Sequence, residues 1–294
     1  MLRIGIIGLS EGNGHPYSWS AICNSYDVQE MKDCPYPSIP DYLGQEAWPQ
    51  SMIANAKVTH IWTQDAKISK SIAKASLIPT IVDKLEDLIP LVDAIILARD
   101  DAENHLAMSL PFINAGLPIF IDKPFALTLS DAHQMLEAQQ YENQIFSCSS
   151  LRFSKDLELS VNELAELGKV QYVEASIPKY WDSYAVHILE PIISQLPKRG
   201  KLVDVTTFEK NGIKTAYIEW ENVAANLKVT GSTPTTLAIR FMGENKQIDK
   251  IFTDSFYSFK RSIEAFISVA LKNSANISRL ETLEIVDIIE RGNL

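Results

Sequence analysis

The chain has 294 residues, enough for one large domain or two, with 46% apolar and 22% charged residues, as in an ordinary globular protein. Its formal net charge of −10, without a lysine or arginine cluster, argues against nucleic acid or an anionic membrane as a partner. The three cysteines lack metal-ligand spacing, and we see neither an apolar run long enough to span a bilayer nor a signal peptide, so we expect reduced thiols and a cytoplasmic location.

In the first half of the chain, short apolar runs alternate with segments of helical periodicity. The predicted strands are residues 3–7, 58–63, 94–98, 119–121 and 144–148, and the predicted helices are residues 66–75, 102–115 and 129–139. Such alternation predicts an α/β domain, a parallel sheet doubly wound by helices on both faces.

Residues 24–57 interrupt this alternation with a polar, proline-rich insertion. A loop of this length in a compact domain usually has a function or contains small elements of its own. We expect its aromatic residues Tyr36, Tyr42 and Trp48 to pack the insertion onto the domain surface.

The second half has a different pattern. Residues 170–177, 202–208, 215–219, 226–230 and 236–242 are predicted strands, and residues 258–271 and 280–290 are predicted helices. Several of the strands alternate apolar and polar residues, and Asn211-Gly212 is a strong hairpin signal. We therefore predict an open, largely antiparallel sheet, and place the domain boundary near residue 150.

Two local motifs suggest chemistry in the first half. An apolar strand ends in a glycine-rich loop, Gly8-Leu9-Ser10-Glu11-Gly12-Asn13-Gly14, as in a Rossmann unit that binds a dinucleotide. Lys123 follows a later strand and precedes a proline, at the sheet edge where such domains bind ligands. Together the motifs indicate a nicotinamide-dependent oxidoreductase, although a glycine turn that only leads into a helix at Pro16 is a competing interpretation.

With these motifs the chain resembles the Gfo/Idh/MocA family, named for glucose–fructose oxidoreductase and inositol dehydrogenase. The segments that carry the resemblance are Ile4-Gly5-Ile6-Ile7-Gly8, Asp93-Ala94-Ile95-Ile96-Leu97-Ala98, His105, residues 116–128 around Asp122-Lys123-Pro124, Arg152-Phe153, Gly168-Lys169-Val170, Tyr184-Ala185-Val186-His187 and Leu283-Glu284-Ile285-Val286. The resemblance implies a Rossmann domain over residues 1–150, including the insertion, and an α/β domain over residues 151–294 for substrate binding and homo-oligomerisation. It also implies NAD or NADP as cofactor and a sugar, nucleotide-sugar, cyclitol or related polyol as substrate.

The resemblance implies catalytic residues in both halves. Lys123 and His187 would exchange the proton of the substrate hydroxyl, with Tyr184 or Asp182 in support. The family commonly has an aspartate four residues before this histidine, where the present chain has Ser183. We expect no metal site, because His187 and Glu190 have helical spacing but no further clustered ligands.

Cofactor contacts are implied for a larger set of residues. They are Gly8, Ser10, Gly12, Asn13, Gly14, Thr63, Ala98, Arg99, Asp100, His105 and Lys123. Ser10 replaces the second glycine of the family loop, and Thr63 replaces the acid that usually binds the adenosine ribose. The sequence therefore leaves NAD and NADP as alternatives.

Two hypotheses from other functional classes compete with the oxidoreductase. The altered loop, Thr63 and Ser183 are also consistent with a non-catalytic or regulatory homologue that binds a sugar or nucleotide without turnover. A third hypothesis is a protein that acts mainly as an assembly partner through its second-domain sheet.

Overall fold

A computed structural model describes residues 1–293, which fall into two compact units. The first unit comprises residues 1–126, 130–147 and 259–277, and the second comprises residues 127–129, 148–258 and the described residues from 278 onward. The first unit thus includes a segment from the C-terminal part of the chain. The assignment of domains to residues 1–150 and 151–294 stays a prediction.

The first unit contains a six-stranded parallel sheet. Its strands are β1 (Leu2–Gly8), β2 (Ala56–Thr63), β3 (Thr80–Ile81), β4 (Ala94–Leu97), β5 (Ile119–Ile121) and β6 (Ile145–Ser147). The order β3-β2-β1-β4-β5-β6 is that of the doubly wound Rossmann fold, which confirms the predicted fold class. All residues of β4 and β5 are buried, as expected for central strands covered on both faces.

Helices connect these strands. They are α1 (His15–Asn24), α2 (Val28–Lys32), α3 (Ser38–Leu43), α4 (Ala66–Ala75), α5 (His105–Asn114) and α6 (Leu129–Glu137), with 3-10 turns at Leu85–Leu88 and Ala102–Asn104. The predicted helix 102–115 is therefore a 3-10 turn followed by α5. The insertion contains α2 and α3, and two of its aromatic residues contact α1 as expected, Tyr36 through the ring of Tyr17 and Tyr42 through Ser18 Oγ, whereas Trp48 packs on Tyr26 within the insertion itself.

The second unit contains a six-stranded mixed sheet. Its strands are β7 (Val170–Ile177), β8 (Leu202–Lys210), β9 (Ile213–Trp220), β10 (Ala224–Val229), β11 (Ala238–Gly243) and β12 (Gln247–Ile251), in the order β12-β11-β7-β10-β9-β8. Only the β7–β10 pair is parallel, so the prediction of a largely antiparallel sheet is confirmed. Asn211 and Gly212, both at positive φ, form the predicted hairpin between β8 and β9.

The remaining helices follow or precede this sheet in the chain. They are α7 (Val161–Leu167), α8 (Trp181–Tyr184), α9 (Val186–Gln195), α10 (Ser255–Ala270) and α11 (Arg279–Arg291), with a 3-10 turn at Ser150–Phe153. One face of the sheet, with Val173, Ile218, Leu227 and Phe241, packs in a core with residues of α9 and α11. The opposite face carries polar residues and a few exposed aromatic ones.

The lengths of the helices and the burial of the cysteines correspond to two features noted in the sequence. Within residues 1–293, no helix has both the length and the apolar character needed to cross a membrane. Cys23, Cys34 and Cys148 are buried, and burial raises the pKa of the Cys23 thiol to about 12.

Candidate active site

Lys123 lies at the carboxyl end of β5 and is paired with a carboxylate. Its Nζ donates to Asp100 Oδ2 at 3.1 Å, and Lys123 is only 3% exposed. Asp100 follows β4, and its Oδ1 accepts a 2.6 Å hydrogen bond from Ser10 Oγ, in the loop after β1. Because β1, β4 and β5 are neighbours, they bring these three residues together at the sheet edge where open α/β sheets bind ligands.

The environment of Asp100 keeps its carboxyl group ionised at neutral pH. Burial raises the pKa of Asp100, but the charge of Lys123 and the hydrogen bond from Ser10 lower that pKa below its ordinary value. An Asp100 that is ionised at neutral pH holds Lys123 Nζ in one position and can itself accept a hydrogen bond from a ligand hydroxyl.

The glycine loop forms a tight turn. Asn13 N donates to Ser10 O at 3.2 Å, and Gly12 has the positive φ, 78°, that the third position of such a turn favours. Glu11 and Gly12 are exposed, and no hydrogen bond within residues 1–293 uses their backbone N–H groups. The tip of the loop therefore presents two N–H groups that can donate to an anion.

The first turn of α1 differs from a typical phosphate-binding helix start. His15 N donates to Asn13 Oδ1 at 2.8 Å, Pro16 has no N–H group, and Tyr17 N donates to Gly14 O at 3.1 Å. Neither His15 N nor Tyr17 N is therefore free to donate to a diphosphate, and Pro16 has no N–H group to offer.

Gly8 and Gly14 have clear packing roles. A Cβ atom at Gly8 would lie 2.4 Å from Pro16 Cγ, and one at Gly14 would lie 2.5 Å from Ile39 Cδ1. Ile39 belongs to α3, so Gly14 allows the insertion to pack closely against the loop. Cofactor contact at these two glycines stays a prediction.

Thr63, where the family usually has an acid, is hydrogen-bonded within its own segment. Its Oγ1 donates to Asp65 O at 2.7 Å and lies 2.8 Å from Ser69 Oγ, at the start of α4. The residue is 5% exposed. These bonds fix the turn between β2 and α4, and a contact of Thr63 with a ribose stays a prediction.

Gln64 and Arg99 connect the ends of β2, β1 and β4. Gln64 Nε2 donates to Leu9 O at 2.6 Å, and Leu9 N donates to Gln64 Oε1 at 3.1 Å. Arg99 Nη1 donates to Gln64 Oε1 at 2.9 Å, while its Nη2 pairs with Asp101 at 2.5 Å. These bonds hold Gln64 between the segments that follow β1 and β4.

Two further predicted cofactor residues, Ala98 and His105, are fully buried. His105 Nε2 lies 2.9 Å from Arg99 O and its Nδ1 lies 3.1 Å from Phe125 O. His105 thus links the segments that follow β4 and β5, and its direct contact with a cofactor stays a prediction.

A second acid–base pair in the first unit was missed by the sequence interpretation. His15 Nδ1 lies 2.5 Å from Asp122 Oδ2, which also accepts a 3.0 Å hydrogen bond from Asn13 Nδ2. Asp122 Oδ1 accepts from Lys123 N at 2.7 Å, so Asp122 anchors the residue next to it as well. The position of Asp122 beside Lys123 was visible in the sequence, but nothing there indicated His15 as its partner.

The remaining predicted catalytic residues lie in the second unit. His187, on α9, has Nδ1 2.7 Å from Ser149 Oγ, and its ring packs edge-on against Tyr184 at a centroid distance of 5.0 Å. Tyr184 Oη accepts a hydrogen bond from Lys179 Nζ, which also lies 4.3 Å from the centre of the Tyr184 ring. Asp182 is exposed on α8. The structure thus brings together His187 and Tyr184 and adds Ser149 and Lys179, which the sequence did not indicate.

Arg152 and Glu190, two other polar residues noted in the sequence, form a buried ionic cluster. Arg152 pairs with Glu190 at 2.9 Å and with Glu281 at 2.5 Å. Burial raises the pKa of the Glu190 carboxyl group above its ordinary value, against the opposing charge of Arg152. Within residues 1–293, no group of three or more histidine, cysteine, aspartate or glutamate side chains is arranged to hold a metal ion.

The family of the chain follows from a comparison with protein-family models. The Gfo/Idh/MocA model, described as an oxidoreductase family with an NAD-binding Rossmann fold, matches residues 2–150. The chain belongs to the Gfo/Idh/MocA family. Among curated proteins, none matches the sequence of this family member.

Solved structures of Gfo/Idh/MocA type share the fold of this chain at low sequence identity. An apo scyllo-inositol dehydrogenase from Lactobacillus casei is 10% identical, with a TM-score of 0.75, and the match covers 100% of this chain and 95% of that one. UDP-N-acetylglucosamine 3-dehydrogenase GnnA from Acidithiobacillus ferrooxidans is 14% identical, with a TM-score of 0.70 and coverages of 98% and 95%. GenD2 from gentamicin A biosynthesis, solved in complex with NAD, is 12% identical, with a TM-score of 0.71 and coverages of 99% and 92%.

The first unit has residues that can bind NAD, as the Gfo/Idh/MocA family implies, but its hydrogen-bond donors for the diphosphate differ from the usual ones. The strand order creates the usual switch point between β1 and β4. The unused N–H groups of Glu11 and Gly12 are donors suited to a diphosphate, whereas the hydroxyl of Ser10 already donates to Asp100 and the first turn of α1 offers no donor at His15, Pro16 or Tyr17. Asp100 offers an acceptor of the kind that binds ribose hydroxyls.

Proposed function

We propose that the chain is an NAD(P)-dependent dehydrogenase or reductase that acts on a CH–OH group, or the matching carbonyl, of a sugar, nucleotide-sugar or cyclitol. The observation that carries the proposal is the buried Lys123–Asp100 pair at the carboxyl edge of the Rossmann sheet. Family membership supports the redox chemistry. The inositol and UDP-N-acetylglucosamine dehydrogenases among the structural neighbours support the substrate class.

In this proposal the residues of the first unit bind the ligands and handle the proton. The bound nicotinamide supplies the hydride chemistry. The N–H groups of Glu11 and Gly12 would hold the diphosphate, and Ser10, whose hydroxyl donates to Asp100, would keep the loop in place beside it. Lys123 Nζ would hydrogen-bond the reacting oxygen and exchange its proton, while Asp100 keeps Nζ oriented.

His187 is proposed as a second acid–base residue, because imidazole titrates near neutral pH. Ser149 fixes one nitrogen of its ring and Tyr184 packs against the ring. Tyr184, bonded to Lys179, would support His187 by holding its orientation. Asp182 is exposed and would act only on a ligand that reaches α8.

The preference between NAD and NADP is part of the proposal. Because Thr63 occupies the position of the usual acid, no carboxylate at this point repels a 2′-phosphate. We therefore expect NADP to be accepted as well as NAD.

A non-catalytic homologue is the less favoured alternative. The altered loop and Ser183 motivate it, and the unused N–H groups of the loop tip would serve a nucleotide-binding protein equally well, but the oxidoreductase family and the buried Lys123–Asp100 pair favour an enzyme. A protein that acts only as an assembly partner would not need this pair.

The proposed function is tested by titrating the purified, ligand-free protein with NAD⁺, NADH, NADP⁺ and NADPH in a calorimeter. The same protein is then assayed for dinucleotide reduction with a panel of cyclitols, sugars and nucleotide-sugars. Binding of at least one dinucleotide and turnover of at least one panel member are expected. Binding without any turnover would favour the non-catalytic homologue, and failure of all four dinucleotides to bind would contradict the proposal.

Homo-oligomerisation through the second-unit sheet is also proposed. The face of this sheet opposite its core carries the exposed residues Phe208, Tyr217 and Ile251. Exposed aromatic and aliphatic groups on one sheet face are consistent with an interface with a second copy of the chain.

A further inference from the structure

The His15–Asp122 pair has the geometry of an imidazole prepared to bind a ligand. Asp122 is fully buried and, as a carboxylate, only accepts hydrogen bonds, so the contact of 2.5 Å places a proton on His15 Nδ1. Nε2 of the neutral ring is then a hydrogen-bond acceptor. A carboxylate that fixes the tautomer of a histidine in this way is a recurring feature of acid–base sites.

The His15 ring is also fixed in orientation. It stacks on Trp19 at a centroid distance of 4.4 Å and an angle of 12°, and it meets Phe259 edge-on at 5.2 Å. Asn13 holds both ends of the pair, because its Nδ2 donates to Asp122 and its Oδ1 accepts from His15 N. Such a ring cannot turn without breaking several contacts.

Nε2 of His15 is not fully buried. The His15 side chain is 17% exposed, although Nδ1 is bonded and one ring face is covered by Trp19. No group within residues 1–293 forms a hydrogen bond with Nε2. A histidine with only a packing role would not need this accessible edge.

The pair adjoins the proposed catalytic residues. Asp122 is next to Lys123 in the chain and accepts its backbone N–H. Asn13, which bonds both Asp122 and His15, also donates its backbone N–H to Ser10 O, and Ser10 Oγ bonds Asp100, so one hydrogen-bond network joins the two pairs. A ligand bound at Lys123 therefore has an imidazole acceptor nearby.

We infer that His15, oriented by Asp122, is a ligand-binding residue whose Nε2 accepts a hydrogen bond from a hydroxyl group of a molecule bound at the Lys123 site. This inference rests on the proposed function. The hydroxyl belongs either to the polyol substrate or to a ribose of the dinucleotide, and the two sources share the same chemistry at Nε2.

The test is the rate at which diethyl pyrocarbonate modifies each histidine of the full chain, measured by mass spectrometry of peptides. The chain provides its own controls. His133 is an exposed reference, with a side chain 47% exposed, and His105 is a buried one, with both nitrogens engaged. We expect His15 to react, His105 to remain unmodified, and a bound ligand to slow the reaction at His15 without changing that at His133.

The ligand arms distinguish the two sources of the hydroxyl. Protection of His15 by NADH or NADPH alone would identify a ribose hydroxyl, and protection that requires myo-inositol or another polyol would identify the substrate. His15→Gln should weaken the protecting ligand about tenfold, the value of one hydrogen bond, whereas His133→Gln should not. Asp122→Asn should slow the modification of His15, because without the carboxylate the ring proton is no longer held on Nδ1 and Nε2 is less often the unprotonated nitrogen.

Two results would overturn the inference while leaving the proposed function intact. One is that His15 is as unreactive toward diethyl pyrocarbonate as His105. The other is that the modification rate of His15 does not change when a dinucleotide and a polyol are present, after calorimetry has shown that both bind. Absence of binding for every dinucleotide and polyol would reject both the inference and the proposed function.

Discussion

At the scale of single residues, the pairing of two carboxylates with two bases defines the candidate site. Asp100 pairs with Lys123, and Asp122, the residue before Lys123 in the chain, pairs with His15. Each carboxylate is held by a further polar group, Ser10 for Asp100 and Asn13 for Asp122. The arrangement keeps both bases fixed before any ligand arrives, which lowers the ordering cost of binding.

The low pKa of Asp100 predicts a pH-dependent contribution to stability. Because the pKa is lower in the folded than in the unfolded chain, the stabilisation is present above the unfolded value and is lost as pH falls through the folded value. Asp100→Asn should therefore lower the free energy of unfolding at pH 7 by about 2 kcal/mol, and the gap to the unmodified protein should shrink below pH of about 4. Urea unfolding followed by circular dichroism at several pH values measures both quantities.

Asp83→Asn is the matched control, since Asp83 is an exposed carboxylate. It should leave stability nearly unchanged at every pH. A gap between Asp100→Asn and the unmodified protein that stays constant from neutral to acidic pH would contradict the ion-pair account.

Residues in a motif could be predicted from the sequence, and residues joined only by folding could not. Lys123 was recognised because its strand, its proline and the resemblance all lie in one segment. His15 and Asp122 are 107 positions apart, and their contact depends on α1 starting beside the end of β5. His187 was predicted, whereas its partner Ser149 lies in a different segment and was not.

At the scale of secondary-structure elements, the Arg152 cluster joins three elements of the second unit. Arg152 lies in the 3-10 turn before α7, Glu190 on α9 and Glu281 on α11. Their side chains are 13%, 5% and 25% exposed, so the charges are poorly screened by water. Removal of the shared cation would leave Glu190 buried without a countercharge.

Arg152→Met should destabilise the protein by about 3 kcal/mol, the typical cost of breaking a buried ion pair. Arg261→Met is the matched control, because Arg261 is 51% exposed and pairs with Glu264 on the same helix. That change should cost less than about 0.5 kcal/mol. Equal losses in chemical denaturation would show that the buried cluster has no special role in stability.

Most elements could be predicted because local pattern and burial agree in them. Helix α4 and strands β5 and β7 have the predicted bounds, since their apolar periodicity and ends are strong. Strand β3 was missed because it has two exposed residues and no pattern. Helix α9 was not among the predicted helices; Pro191 lies inside it, and burial of the helix in the second-unit core compensates for that proline.

At the scale of the whole molecule, the order of elements in the first half of the chain predicted the parallel sheet. The sequence did not predict which chain segments belong to each of the two units. The change of pattern near residue 150 marks where the second sheet begins in the sequence. Residues 259–277 nevertheless pack in the first unit, where Phe266 meets Phe120 and Phe146. A helix that follows a sheet in the chain gives no local signal of which core it joins.

The proposed oligomer predicts a defined response to a surface mutation. Tyr217 lies on the outer face of the second-unit sheet and is 41% exposed. Tyr217→Lys should shift the protein toward monomer in light-scattering measurements, because a charge at an interface is desolvated without a partner. Leu280→Lys, at a residue that is 77% exposed on α11, should not. An unmodified protein that is monomeric at micromolar concentration would contradict the proposal.

The central claim is that Lys123 exchanges a proton with the substrate of an NAD(P)-dependent reaction, and Lys123→Arg tests it most directly. Arginine keeps the positive charge beside Asp100 but does not release its proton near neutral pH. With a substrate from the panel, we predict that turnover falls by at least about a hundredfold while the calorimetric affinity for the dinucleotide stays within about threefold. Lys74→Arg, at an exposed lysine, should keep full turnover. Full turnover of Lys123→Arg would contradict the account.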